Sequence, residues 1–307
     1  MDINHVRYMM CPVWWTAEQG GDSYWATWLK VLEELPAGLD NARELGLAVM
    51  LDLHTVPNDA YKEPDLSYIE DATERRNLAS HAWWQDESNL EVMIKCWRQL
   101  ARLCVDREQE LWYEIYNEPL DWTRFPNSPE RWPRWAQQII DEIRKIDENT
   151  PIAVQPGPGS LCWGLKSFPR LKGDPIVYAI HNWNPHYYTH QGVYGPKDAV
   201  ANWEGGAKGR AYFEEDMAAA IEFQKRHNVR IWVSEFGVAR WAPDAAQYLR
   251  DSIEFFEAHG WDWSYHSFRE AGPWDLERVS RRGTLDHADG LTDRGRVVRE
   301  FLRRNLD

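Results

Sequence analysis

The sequence predicts an α/β fold built on a parallel sheet, most simply a TIM-type (β/α)8 barrel with seven βα units recognisable. Three observations predict it. Short apolar runs alternate with longer runs of helical period from one end of the chain to the other, which implies parallel strands joined by right-handed crossovers. No G-x-G-x-x-G or Walker A turn follows the first run, so the usual marker of an open doubly wound sheet is missing. Polar residues collect just after the apolar runs, where barrel enzymes keep their chemistry.

Seven candidate strands carry the pattern: Ile3–Met10, Leu47–Leu53, Leu111–Tyr116, Ile152–Gln155, Ile176–Ile180, Val229–Val233 and Trp261–Phe268. Several are short, apolar and bounded by turn residues, as expected of strands covered on both faces. Between them, Leu90, Met93, Trp97, Leu100, Ala101 and Cys104 recur at three- and four-residue spacing and predict a helix. Trp135, Ile139, Ile140 and Ile143 predict another, as do Met217, Ala220, Ile221 and Phe223. Tyr248, Ile253 and Phe256, and finally Val297, Val298, Phe301 and Leu302, complete the series. No repeat, low-complexity tract or linker divides the chain, so residues 1–307 read as one domain. The run Gln155–Ser160 (QPGPGS) reads as a strand-to-helix turn.

Composition narrows the function classes. The chain has 307 residues, 43% hydrophobic and 27% charged, an ordinary globular balance. Its formal charge of −14 argues against nucleic acid or an anionic membrane as partner, since both need a basic footprint. No apolar run approaches a membrane span. Cys11, Cys96, Cys104 and Cys162 show no zinc or redox spacing, and the opening MDINHVRYMM shows no signal peptide. Nineteen tryptophans are the unusual feature. They suit either a large aromatic core or a surface that stacks flat rings, and the acidic charge disfavours bases as those rings.

Reading the strand ends in turn gives Arg7, His54, Asn117-Glu118-Pro119, His181, Glu235, and the stretch Trp263 to His266. Two carboxylates after separate strands, framed by histidines and aromatics, fit glycoside cleavage. One carboxyl donates a proton to the leaving oxygen and the other attacks or stabilises the anomeric carbon. A lone glutamate or histidine at a strand end is more often structural; the two motifs in order carry the signal. Asp286–Gly290 lacks a full calcium ligand series. Gly157–Ser160 is no nucleophile elbow, and His186 and His190 lack a third metal ligand.

Taken in order, Asn4–Arg7 (NHVR), Leu51–His54 (LDLH), Tyr116–Pro119 (YNEP), Thr189–Gly192 (THQG), Glu235–Gly237 (EFG) and Trp263–Phe268 (WSYHSF) resemble glycoside hydrolase family 5, the cellulase-type family of the retaining clan of (β/α)8 enzymes. The resemblance spans essentially the whole chain. It implies Glu118 as general acid/base and Glu235 as nucleophile, with Asn117 on the substrate 2-hydroxyl. It further implies Arg7 holding Glu235 ionised, since an arginine beside a carboxylate favours its charged form. His54 and His181 would line the −1 sugar site and Trp263 would be its platform. Retention would place the two carboxyls about 5–5.5 Å apart. No metal or cofactor is needed.

Two departures stand out. Where the family shows His-x-Tyr, this chain has His181-Asn182-Trp183, so either Trp183 donates to Glu235 or Tyr187 or Tyr188 supplies the hydroxyl. The family's first strand and helix are also missing, which would expose two ladder edges open to self-association, or to cover by a loop or by residues near Trp14–Trp28. Trp14, Trp15, Trp122, Trp163, Trp203, Trp241 and Trp274 fall in expected loops and are candidates to stack sugars; Trp97, Trp112, Trp135 and Trp232 are expected in the core. The resulting expectation is a retaining endo-β-1,4-glucanase-type hydrolase acting on a β-linked polysaccharide or oligosaccharide and working outside the cell. Another family-5 β-glycanase, such as a mannanase or xyloglucanase, or a carbohydrate-binding barrel with an impaired site, are the alternatives.

Overall fold

The computed structural model describes residues 3–194, 200–267, 269 and 271–306. Seven parallel strands follow one another in sequence order across one sheet. They are β1 (His5–Met10), β2 (Ala48–Leu53), β3 (Leu111–Glu114), β4 (Ile152–Val154), β5 (Ile176–Asn182), β6 (Arg230–Phe236) and β7 (Asp262–Tyr265). All seven expected strands are present, with shifted ends. β5 and β6 run further than their apolar stretches, so His181 and Glu235 lie on the strands themselves rather than after them. β3 and β7 stop earlier than expected, and Phe268 lies outside the described residues.

The chain divides into two compact units, His5–Ala179 and Ile180–Asp307 with Met1–Asn4. In the first unit, β1 to β4 and the start of β5 pair in parallel. Met9, Asp52, Glu114 and Ala153 are successive partners across four strands, so their side chains share one face of the sheet. The intervening helices are α1 (Pro12–Gln19), α2 (Tyr24–Glu44), α3 (Ala72–Gln85), α4 (Glu87–Cys104) and α5 (Trp132–Arg144). Asp86 caps α4 by accepting from the Ser88 N–H, and Leu90, Met93, Cys96, Trp97, Leu100 and Cys104 form its buried stripe. α5 starts with a proline in its first turn and buries Trp132, Trp135, Ala136, Ile139, Ile140 and Ile143.

Two loop expectations are corrected here. Trp14 and Trp15 sit in α1, whose start is set by Pro12, and Ser23 caps a second helix that buries Trp28. The Trp28 indole donates to Gln99 of α4 (2.9 Å).

In the second unit, the end of β5 leads into the single-turn helix α6 (His186–Thr189). Then follow α7 (Ala207–Asp216), α8 (Ala218–His227), β6, α9 (Ala245–Ala258), β7 and α10 (Asp293–Leu302). Thr292 caps α10, its hydroxyl accepting from the Gly295 N–H (3.0 Å). β6 carries an extra residue between Val233 and Phe236 relative to Trp263 and Tyr265 of β7, a bulge that falls at Ser234-Glu235. Trp203, expected to stack sugar, is instead core: its indole donates to Asp251 and its ring packs on Phe213 and Tyr248. Among the described residues, no helix is long and apolar enough to cross a membrane.

Candidate active site

In the first unit, the strand register sets two acids side by side. Asp52 and Glu114 are direct partners on adjacent strands and both are fully buried. Two like charges so placed need a cation. Arg7, two residues before Met9 and so on the same face of β1, supplies it: its guanidinium meets Asp52 Oδ2 (3.0 Å) and Glu114 Oε2 (2.5 Å). It also donates to Asn117 Oδ1 (2.9 Å). Burial pushes the Glu114 carboxyl above the ordinary carboxylate range, while the Arg7 charge pulls it back and Asp52 raises it further. Arg7 therefore serves this buried acid pair, a role that sequence reasoning does not foresee.

His54, just past β2, completes the group. Its Nδ1 lies 2.7 Å from Asp52 Oδ2, and Asn117 Nδ2 lies 3.3 Å from its Nε2. Those contacts suit a neutral ring with the proton on Nδ1, leaving Nε2 to accept. Asn117 is thereby held from two sides. Glu118, the next residue, is exposed and has a left-handed backbone (φ 46°), with its N–H captured by Gln155 Oε1 (2.6 Å). Trp14 is 53% exposed and its ring meets that of His54 in a T-shaped pair at 4.9 Å, so an α1 residue joins this half of the site. Further out, Trp122 packs on Phe125 (5.8 Å) beneath the Arg76 guanidinium, and Trp163 meets Phe125 edge-on (6.3 Å).

In the second unit, the bulge in β6 presents Glu235, which is 6% exposed, to two histidines. His181 Nδ1 of β5 stands 3.7 Å from Glu235 Oε2, and His266 Nδ1, following β7, stands 4.0 Å from it. Trp183 is buried beside them, its ring 5.5 Å from His266, 5.4 Å from Trp274 and 5.0 Å from His190. The glycine of Glu235-Phe236-Gly237 has a packing reason: a Cβ there would stand 2.7 Å from the His266 carbonyl and 3.3 Å from the Trp183 ring. Trp274 anchors its indole on the Thr189 carbonyl (3.3 Å).

Two expected residues lie elsewhere in this unit. Trp263 and Tyr265, on alternate positions of β7, share the face on which Phe236, the neighbour of Glu235, packs. Trp263 packs edge-on against Phe236 with Tyr265, and Phe236 in turn meets Phe256 of α9. His266 and Trp274 take the neighbourhood expected of it. Tyr188 is fully buried between Trp203 and Tyr248 and donates its hydroxyl to the Pro243 carbonyl (2.6 Å). It is a core residue, and Tyr187 is 72% exposed, whereas Trp183 and Trp274 both lie beside this histidine group.

Sequence reasoning misses Asp52, Glu114 and Gln155 as site residues, and names His266 only as the end of a polar stretch. The signal for the first two is present: an acid inside an otherwise apolar buried strand, in Leu51-Asp52-Leu53 and Leu111–Glu114, needs a buried partner.

Comparison with known proteins identifies the family. The cellulase model of glycosyl hydrolase family 5 matches residues 1–272. Endoglucanase C of Acetivibrio thermocellus is 22% identical over 228 residues, covering 65% of this chain and 61% of that protein, so the chain spans about three fifths of that relative's length. Among solved structures, a glycoside hydrolase superposes with a TM-score of 0.68 at 17% identity over 99% of both chains. Thermotoga maritima Cel5A, solved with mannotriose as substrate, gives a TM-score of 0.66 at 20% identity over 87% of this chain and 78% of its own. The fold is thus the (β/α)8 barrel type with seven βα units recognised. Because the family model spans both glutamate motifs and all seven strands, the chain belongs to glycosyl hydrolase family 5.

Proposed function

We propose that the chain is a retaining endo-β-1,4-glucanase-type glycoside hydrolase working by double displacement, with Glu118 as general acid/base and Glu235 as nucleophile. The observation that carries this reading is the pair of glutamates in family order, each at the end of a strand region and each set in its own group of buried polar side chains. In the first step a Glu235 carboxylate oxygen attacks the anomeric carbon while Glu118 gives its proton to the departing glycosidic oxygen. In the second, water attacks the glycosyl-enzyme ester, Glu118 takes the water's proton, and Glu235 leaves as carboxylate.

Asn117, fixed by Arg7 and His54, is the residue to bond the sugar 2-hydroxyl. His54 and His181 would line the −1 site, with Trp183 and Trp274 as its aromatic surface. Trp14 and the Trp122, Phe125 and Trp163 group offer ring faces for flanking sugars. The substrate is a β-linked polysaccharide or oligosaccharide, a polymer met outside cells, which suits a secreted enzyme.

The test is hydrolysis of soluble β-glucans and mannans with proton NMR of the first product formed. The expected result is release of the β-anomer, with Glu118→Gln and Glu235→Gln each losing at least about 100-fold in rate on polymer. First release of the α-anomer, or full activity in either variant, would overturn the assignment. A mannan-cleaving enzyme is the second reading, favoured by the mannotriose complex of Cel5A; faster turnover of mannan than glucan would select it. Saturable binding with no turnover would select a carbohydrate-binding barrel.

A further inference from the structure

We propose that Gln155 is a positioning residue that imposes the backbone conformation from which Glu118 presents its carboxyl. The inference rests on the acid/base reading of Glu118 above.

Glu118 is a non-glycine residue at φ 46°, a conformation that the surroundings must hold. Its N–H donates to Gln155 Oε1 at 2.6 Å. The same oxygen accepts from the Ser160 hydroxyl. On the other side of the amide, Gln155 Nε2 donates to Glu114 Oε1 (2.5 Å) and to Asn117 Oδ1 (3.3 Å). Two donors meet the oxygen and two acceptors meet the nitrogen, so one amide orientation satisfies all four contacts. The flipped amide would set N–H against N–H at Glu118 and oxygen against the Glu114 carboxyl. Gln155 is fully buried, which makes each of these contacts costly to lose.

The turn beyond β4 adds a second latch. Gly159 N–H donates to the carbonyl of Pro119, the residue after Glu118 (2.9 Å), and Ser160 N–H to the Pro156 carbonyl (3.1 Å). Gly157 packs so closely that a Cβ would stand 3.0 Å from the Pro119 carbonyl and 2.5 Å from Ser128 Oγ. The end of β4 therefore clamps the Glu118-Pro119 segment by both its main chain and Gln155. Glu114, tied to Arg7 on one oxygen and to Gln155 on the other, links this clamp to the buried acid pair.

If Gln155 acts through Glu118, its loss should resemble a loss of acid catalysis. An aryl β-glycoside with a poor leaving group needs protonation, and one with a dinitrophenolate leaving group does not. Gln155→Met, which keeps the length and removes the amide, is expected to lower kcat/KM at least about 30-fold on phenyl β-cellobioside and less than about 3-fold on the 2,4-dinitrophenyl compound. Ser160→Ala is expected to show the same ordering at smaller size, and carries the test if Gln155→Met does not fold. An equal loss on both substrates, or no loss on either, would overturn the proposal. Glu118→Gln run beside them separates the two levels. If it shows the leaving-group dependence and the Gln155 and Ser160 variants do not, the positioning role fails alone. If Glu118→Gln shows none, the acid/base reading fails.

Discussion

At the scale of single residues, the titratable groups around the candidate site are set by burial as much as by charge. His190 shows this most directly. Its ring stacks on His186 with centroids 4.0 Å apart, meets Trp183 and Trp274 edge-on, and places Nδ1 2.9 Å from Thr189 Oγ1. Burial, and then the nearby His186 and His266, hold its pKa down from 6.5 to about 3. Between those values the unfolded chain binds a proton that the folded chain does not, so stability rises with pH across this window and falls as pH drops through 6.5. At pH 5 the loss is up to about 2 kcal/mol, trimmed by the ring's partial access to water. His190→Gln should therefore lose less Tm between pH 7 and pH 5 than the parent. Thermal melts across that range check it, and identical slopes would contradict it.

At the scale of elements, burial of one face decides what folds where. α5 shows the rule: its stripe of Trp135, Ile139, Ile140 and Ile143 is fully buried. Ile139→Ala should cost about 2–5 kcal/mol, measured as a lowered midpoint in urea with an unchanged m-value. This helix, α4 and the seven strands are legible in the sequence because apolar period and burial coincide there. The motifs Asn117-Glu118 and Glu235-Phe236-Gly237 are legible because polar residues there end an apolar run. What is not legible has a physical reason in each case. The ends of β5 and β6 bury His181, Ser234 and Glu235, so the strands continue past the point where the apolar signal stops. Trp14 reads as a loop residue because nothing in its local period reveals that Pro12 opens a helix there. Trp263 and His266 are three apart near a strand's end, and only the pairing of Val233 with Trp263 fixes which face each takes. Glu114 and Gln155 act through partners 41 residues apart in sequence, a relation that exists only once β3 and β4 pair.

At the scale of the whole molecule, the −14 charge and the proposed uncharged substrate make opposite demands on electrostatics. An acidic surface repels polyanions over distances comparable with the Debye length, about 10 Å at 0.1 M salt. A neutral glycan bound by stacking and hydrogen bonds carries no charge for that field to act on. Two polymers with the same backbone can separate these effects. On a neutral soluble β-glucan, kcat/KM should change less than about twofold between about 0.02 and 0.5 M sodium chloride. On its carboxymethylated counterpart, kcat/KM should rise with salt over the same range as repulsion is screened. A steep fall with salt on the carboxymethylated polymer would mean that opposite charges hold the substrate, and would count against the uncharged glycan as the natural ligand. Stacking on Trp14, Trp122 and Trp163 is insensitive to ionic strength and would not account for such a dependence.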